Sequence, residues 1–178
     1  GASNAITGVG FEPAMTWTKA TWEDASHYLV DSVRGATKQW RPESTIVEAT
    51  DAEGLKSFDS DGYTLGTTSG FNNSSGTFVS WNWKAGTTTG ITGSPSITPA
   101  SYSFNATSGF SIIKYVGTGV AGTLPHGLGV APKFITIKNL DTAGGSFSYH
   151  HKMASDAETD YMNWNTTANA ADHAGPWN

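Results

Sequence analysis

The chain has 178 residues, 14% of them charged, a net charge of −5 and no cysteine, with 21 Gly, 7 Trp, 8 Phe and 6 Tyr. That length fits one or two small domains with a real core, and the missing cysteine excludes disulfides, iron–sulfur clusters and a thiol nucleophile. Ten scattered Lys and Arg in an acidic chain argue against nucleic acid as a partner, and no apolar run is long enough to span a membrane as a helix.

In chain order, TGVGFEPAMTWTK (7–19) sets a glycine turn and Pro13 ahead of an alternating run, which predicts a strand. TWEDASHYLVDSV (21–33) is the best helical candidate, but its second half, HYLVDS, reads as a strand. LKSFDSDGYTLG (55–66) predicts a hairpin with its turn at Asp61-Gly62. In TFVSWNWK (77–84), Val79, Trp81 and Trp83 share one face and Phe78, Ser80 and Asn82 the other. AGTTTGITGSPSITPA (85–100) has the composition of a linker or extended edge segment. GFSIIKYVG (109–117) sends Phe110, Ile112 and Val116 one way and Ile113 and Tyr115 the other. KFITIK (133–138) is apolar on both faces, which predicts a central strand, with Pro132 just before it. Short strands without crossover helices predict an all-β, antiparallel β-sandwich of the jelly-roll kind. The expected core is Phe11, Met15, Trp17, Leu29, Phe58, Leu65, Val79, Trp81, Phe110, Ile112, Phe134, Ile135 and Ile137.

HGLGVAPKFITIK (126–138) lies on TGVGFEPAMTWTK without a gap: Gly8, Gly10, Pro13 and Lys19 fall on Gly127, Gly129, Pro132 and Lys138. The same offset brings HYLVDS (27–32) onto SFSYHH (146–151), and a three-residue insertion then aligns TKQW (37–40) with TDYM (159–162). This predicts an internal repeat in which residues 7–49 and 126–171 form equivalent strand–loop–strand units. The expected organisation is a first unit at 1–90 lacking its leading strand, a linker or edge segment at 91–100, and a second unit at 101–178 that stops before its counterparts of SFDSDGYTLG and FVSWNWKAG.

The motifs that could carry chemistry have simpler explanations. DSDG (59–62) begins like a calcium loop, but Tyr63 and Gly70 occupy positions that need oxygen ligands, so a hairpin turn is expected. His150 and His151 are adjacent on a strand and point to opposite faces, which disfavours a zinc site with His126. Glu43, Glu48, Asp51 and Glu53 could supply a glycosidase pair but read as a solvated loop, and no nucleophile elbow exists. No catalytic residue, metal or cofactor is therefore expected. The aromatic residues are the stronger functional candidates, with Trp22, Trp40, Trp164 and Trp177 as candidate glycan or interface contacts.

GFEPAMTWTK, DSVRGATKQW, EATDAEGLKSFDSDGYTLG, FVSWNWKAG, GFSIIKYVGTG and HGLGVAPKFITIKN, in that order, resemble a repeat family of structural and tail-fibre-like proteins from tailed, mostly marine bacteriophages. The resemblance covers residues 6–171; it implies a concanavalin-like or jelly-roll sandwich in a virion component and supplies no catalytic residues. The expected function is a non-enzymatic fibre, tail appendage or capsid-decorating module, extracellular on the virion, that assembles with copies of itself and other virion proteins. The alternative is a lectin-like receptor-binding module for host surface glycan. Tryptophans buried between subunits would favour the first, and tryptophans lining an open groove beside polar groups the second. The incomplete second unit would leave strand edges open, so association without metal or nucleic acid is expected.

Overall fold

The structure, a computed structural model, describes residues 3–152 and 159–172. Its strands are β1 (Asn4–Thr7), β2 (Met15–Ala20), β3 (His27–Asp31), β4 (Lys38–Trp40), β5 (Ala49–Thr50), β6 (Leu55–Asp59), β7 (Gly62–Leu65) and β8 (Phe78–Trp83). They continue as β9 (Ser101–Asn105), β10 (Phe110–Lys114), β11 (Phe134–Lys138), β12 (Ser146–His150), β13 (Asp160–Asn163) and β14 (Ala171–Asp172), and the short helix α1 is Ser69–Asn72. All pairings are antiparallel, in sheets ordered β5-β4-β3-β2-β8, β1-β7-β6, β10-β9 and β11-β12-β13-β14. The protein is an all-β sandwich with no closed barrel.

The repeat is visible residue by residue. Met15 pairs with Asp31 as Phe134 pairs with His150, and Trp17 with Leu29 as Thr136 with Ser148. Leu29 pairs with Trp40 as Ser148 with Met162, and Lys38 with Thr50 as Asp160 with Asp172. The three-residue insertion falls between β12 and β13 and shifts neither register. The preceding glycines agree as well, with φ of 85° and 84° at Gly8 and Gly10 against 72° at both Gly127 and Gly129, a left-handed conformation that costs glycine little. One neighbour differs: β2 lies between β3 and β8, whereas β11 pairs with β12 alone among the described residues.

Alternation along β2 and β3 gives the first sheet two distinct faces. One carries Thr16, Thr18, Tyr28 and Val30, and the main core forms on it. There Tyr28 and Val30 pack with Leu55, Tyr63 and Leu65 of the β6–β7 hairpin and with Phe71 of α1, with Ile6, Ala36 and Phe58 at the margin. The β1-β7-β6 sheet and α1 thus cover this face. Burial pushes the Tyr63 hydroxyl above its ordinary pKa, and a hydrogen bond with Ser80 partly offsets it. Asp61 ties the covering layer to the glycine turn: its carboxylate accepts the Gly8 and Gly10 amides at 2.9 and 2.7 Å, which lowers its pKa. DSDG is therefore part of a hairpin, with Ser60-Asp61 at the turn, one residue earlier than expected.

Several expectations need correction. The short helix α1 was not foreseen, whereas the strand expected at HYLVDS forms as β3 after a bend at residues 21–24. KFITIK is an edge strand, because no strand pairs with β11 opposite β12 among the described residues. Its Phe134 is accordingly 51% exposed, and Trp81, on the outermost strand of the first sheet, is 47% exposed. Leu29 and Leu65 are buried as expected, but Phe11, Met15, Trp17, Phe58, Val79, Phe110, Ile112, Ile135 and Ile137 are only half-buried. Narrow sheets cover many of their side chains on one side only.

Candidate aromatic cleft between the two repeated sheets

The second face of the first sheet carries Met15, Trp17, His27, Leu29 and Trp40, as the pairings Trp17–Leu29 and Leu29–Trp40 require. The corresponding face of the second sheet carries Phe134, Ser148, His150 and Met162. These faces meet along a cleft of about 500 Å³ lined by both, together with Glu43, Asn163 and Trp164. Trp164, just beyond β13, bridges them: it stacks on Trp17 at 5.2 Å and lies 5.9 Å from Trp40 and 6.1 Å from Phe134, centroid to centroid. Backbone bonds between the flanking loops, Glu48 N–H to Leu140 O at 3.3 Å and Gly144 N–H to Thr45 O at 2.8 Å, hold the sheets together.

Several polar groups of the cleft are held by neighbours. The Trp17 indole N–H donates to His27 Nδ1 at 3.0 Å, and Glu43 accepts the His27 amide at 3.2 Å. Ser148 Oγ meets Thr136 Oγ1 at 3.0 Å. An aromatic floor with a few oriented donors and acceptors is the usual make-up of a small-molecule site. Lys138 anchors the β11–β12 loop by donating to the Gly144 carbonyl, and burial lowers its pKa.

The four candidate tryptophans separate. Trp164 lines the cleft. Trp40 is 7% exposed and backs Trp164, so its ring meets protein instead of solvent. Trp22 is 44% exposed outside the cleft, its indole against Gly76. Trp177 lies outside the described residues. Trp17, Phe134, His27, Glu43 and His150 were not foreseen as partners. The pairing of Trp17 with Leu29 was the one local signal, since it places Trp17 opposite the face that forms the main core.

All four loop carboxylates hold structure, Glu43 through the His27 amide. Glu48 meets Arg34 at 3.4 Å, Asp51 accepts the Glu53 amide and the Thr68 hydroxyl, and Glu53 pairs with Lys56 at 2.7 Å, which lowers the Glu53 pKa. Among the described residues no three His, Asp or Glu side chains converge as a metal site, and no helix is long and apolar enough to cross a membrane. No curated protein and no solved structure matches the chain. The chain belongs to the family described as Domain of unknown function (DUF7483), which matches it over residues 1–178.

Proposed function

We propose that this chain is a non-enzymatic structural module of a bacteriophage virion, a fibre, tail appendage or capsid-decorating unit that assembles with copies of itself and with other virion proteins. The phage setting rests on the motif resemblance alone. The observation that supports assembly is the asymmetry between two sheets of equal register. Tyr28 and Trp40 are buried in the first, whereas Phe147 and Met162, at the matching positions of the second, are exposed. Exposed apolar groups, with Phe147 on the strand next to the open β11 edge, favour association. Sedimentation of the native protein at micromolar concentration tests this. Complexes well above 18.7 kDa are expected, and a clean monomer would refute the reading.

A second reading, recognition of a surface glycan, is favoured by the cleft. Indole faces stack on the apolar faces of sugar rings, and Glu43, His27, His150 and Asn163 stand beside Trp17 and Trp164 to meet hydroxyls. Titration with bacterial surface oligosaccharides is expected to give binding that Trp164→Ala abolishes while the fold persists. Binding unaffected by that change would exclude the cleft.

A further inference from the structure

Because the two units share one register, the first shows what the second leaves uncovered. The face of β2 and β3 bearing Thr16, Thr18, Tyr28 and Val30 is roofed by the β6–β7 hairpin and α1, and the flank of β2 is closed by β8 along its whole length. The matching face of β11 and β12 bears Ile135, Ile137, Phe147 and Tyr149. Phe147 is 38% exposed there, in edge contact with Tyr161 at 5.1 Å, and β11 makes no backbone hydrogen bond on its other flank among the described residues.

We infer that β11 is an acceptor edge for a β8-type strand donated by another unit of this repeat. This rests on the assembly reading and deepens it by naming the surface and its occupant. Register follows from the first unit, where Met15 pairs with Trp83, Trp17 with Trp81 and Lys19 with Val79. Antiparallel addition therefore sets Phe134, Thr136 and Lys138 opposite the donor positions equivalent to 83, 81 and 79. Main-chain bonds supply affinity and alternate side chains supply choice, as in other strand additions.

The choice differs between units. In the first, Thr16 and Thr18 face Asn82 and Ser80, and the Thr16 hydroxyl donates to Asn82 Oδ1 at 3.1 Å. In the second, Ile135 and Ile137 stand at those places and cannot satisfy a buried amide or hydroxyl. The donor is therefore apolar at the positions equivalent to 80 and 82. A strand with the chain's own β8 sequence fits this edge less well, because it would leave polar groups unpaired.

The chain's lack of cysteine makes the test direct. Thr136→Cys is mixed, with oxidised glutathione supplied as the two-electron oxidant, with a peptide of residues 77–84 carrying Ser80→Val, Asn82→Val and Trp81→Cys. A second peptide keeps Trp81 and the Ser80→Val change and carries Asn82→Cys instead. The expected result is a disulfide with the first peptide and little with the second, since neighbouring strand residues point to opposite faces. Restoring Ser80 and Asn82 in the first peptide should cut the yield severalfold. Equal cross-linking by the two peptides, or equal cross-linking to an exposed Lys56→Cys control, overturns the inference. Should Thr136→Cys disturb folding by circular dichroism, anisotropy on the unaltered chain replaces it, using a labelled, cysteine-free 77–84 peptide with only the Ser80→Val and Asn82→Val changes. Saturable binding is then expected, and its absence overturns the inference. An intact protein that still sediments as a complex would in that case keep the assembly reading and move the contact elsewhere.

Discussion

Tyr28 and Phe147 occupy matching positions in two sheets of identical register, so truncating each to alanine measures what the covering layer contributes. Tyr28 is 8% exposed, lies 4.5 Å from the Phe71 ring, carries Arg41 over its own ring at 5.2 Å and belongs to the main core. Removing it opens a closed cavity beneath α1, at a cost of about 3–5 kcal/mol, as for other buried aromatic residues. Phe147 is 38% exposed and touches Tyr161. Its loss forfeits part of one transfer free energy and one aromatic contact and leaves no closed cavity, a cost of roughly 1–2 kcal/mol. Urea unfolding followed by tryptophan fluorescence measures both values in the isolated chain. Equal costs, or a larger cost for Phe147→Ala, would refute the view that only the first sheet is roofed.

Other consequences follow from buried and polar contacts. Arg34 is largely buried, donating to Asp31 and to the Leu29 carbonyl at 3.0 Å and facing Glu48. Arg34→Met leaves the Asp31 charge uncompensated and should cost about 3–5 kcal/mol, with Asp31→Asn/Arg34→Met costing less than the two single changes together; additive costs would argue against the pair. Asp61 has a lowered folded pKa, so its contribution to stability is present above the unfolded carboxyl pKa and fades as pH falls through the folded one. Asp61→Asn should therefore lower the urea midpoint at neutral pH and narrow its gap to wild type in acid; a gap independent of pH would count against the Gly8 and Gly10 contacts.

Much of the frame was legible because strand register depends on local alternation. Aligning Met15 with Phe134 and His27 with Ser146 was enough to anticipate matching pairings, and the insertion fell between β12 and β13. Which strand lies at an edge is a property of distant neighbours, so Ile135 and Ile137 looked central although β11 has one partner among the described residues. The core shifted for a related reason. Leu55, Tyr63 and Phe71 are buried because a hairpin and a four-residue helix fold back over β3, and no periodic pattern announces that packing. The cleft was only half legible: tryptophan abundance drew attention to Trp164, but its stacking on Trp17 follows from how the sheets meet.

Backbone hydrogen exchange compared between β2 and β11 tests the central claim, that the second unit repeats the first but leaves its edge open for assembly. In the free chain, the outward amides of Met15–Ala20 should exchange slowly because β8 covers them, and those of Phe134–Lys138 should exchange fast. In the native assembly both sets should be slow. Slow exchange along β11 in the free chain, or fast exchange there in the assembly, would contradict the account.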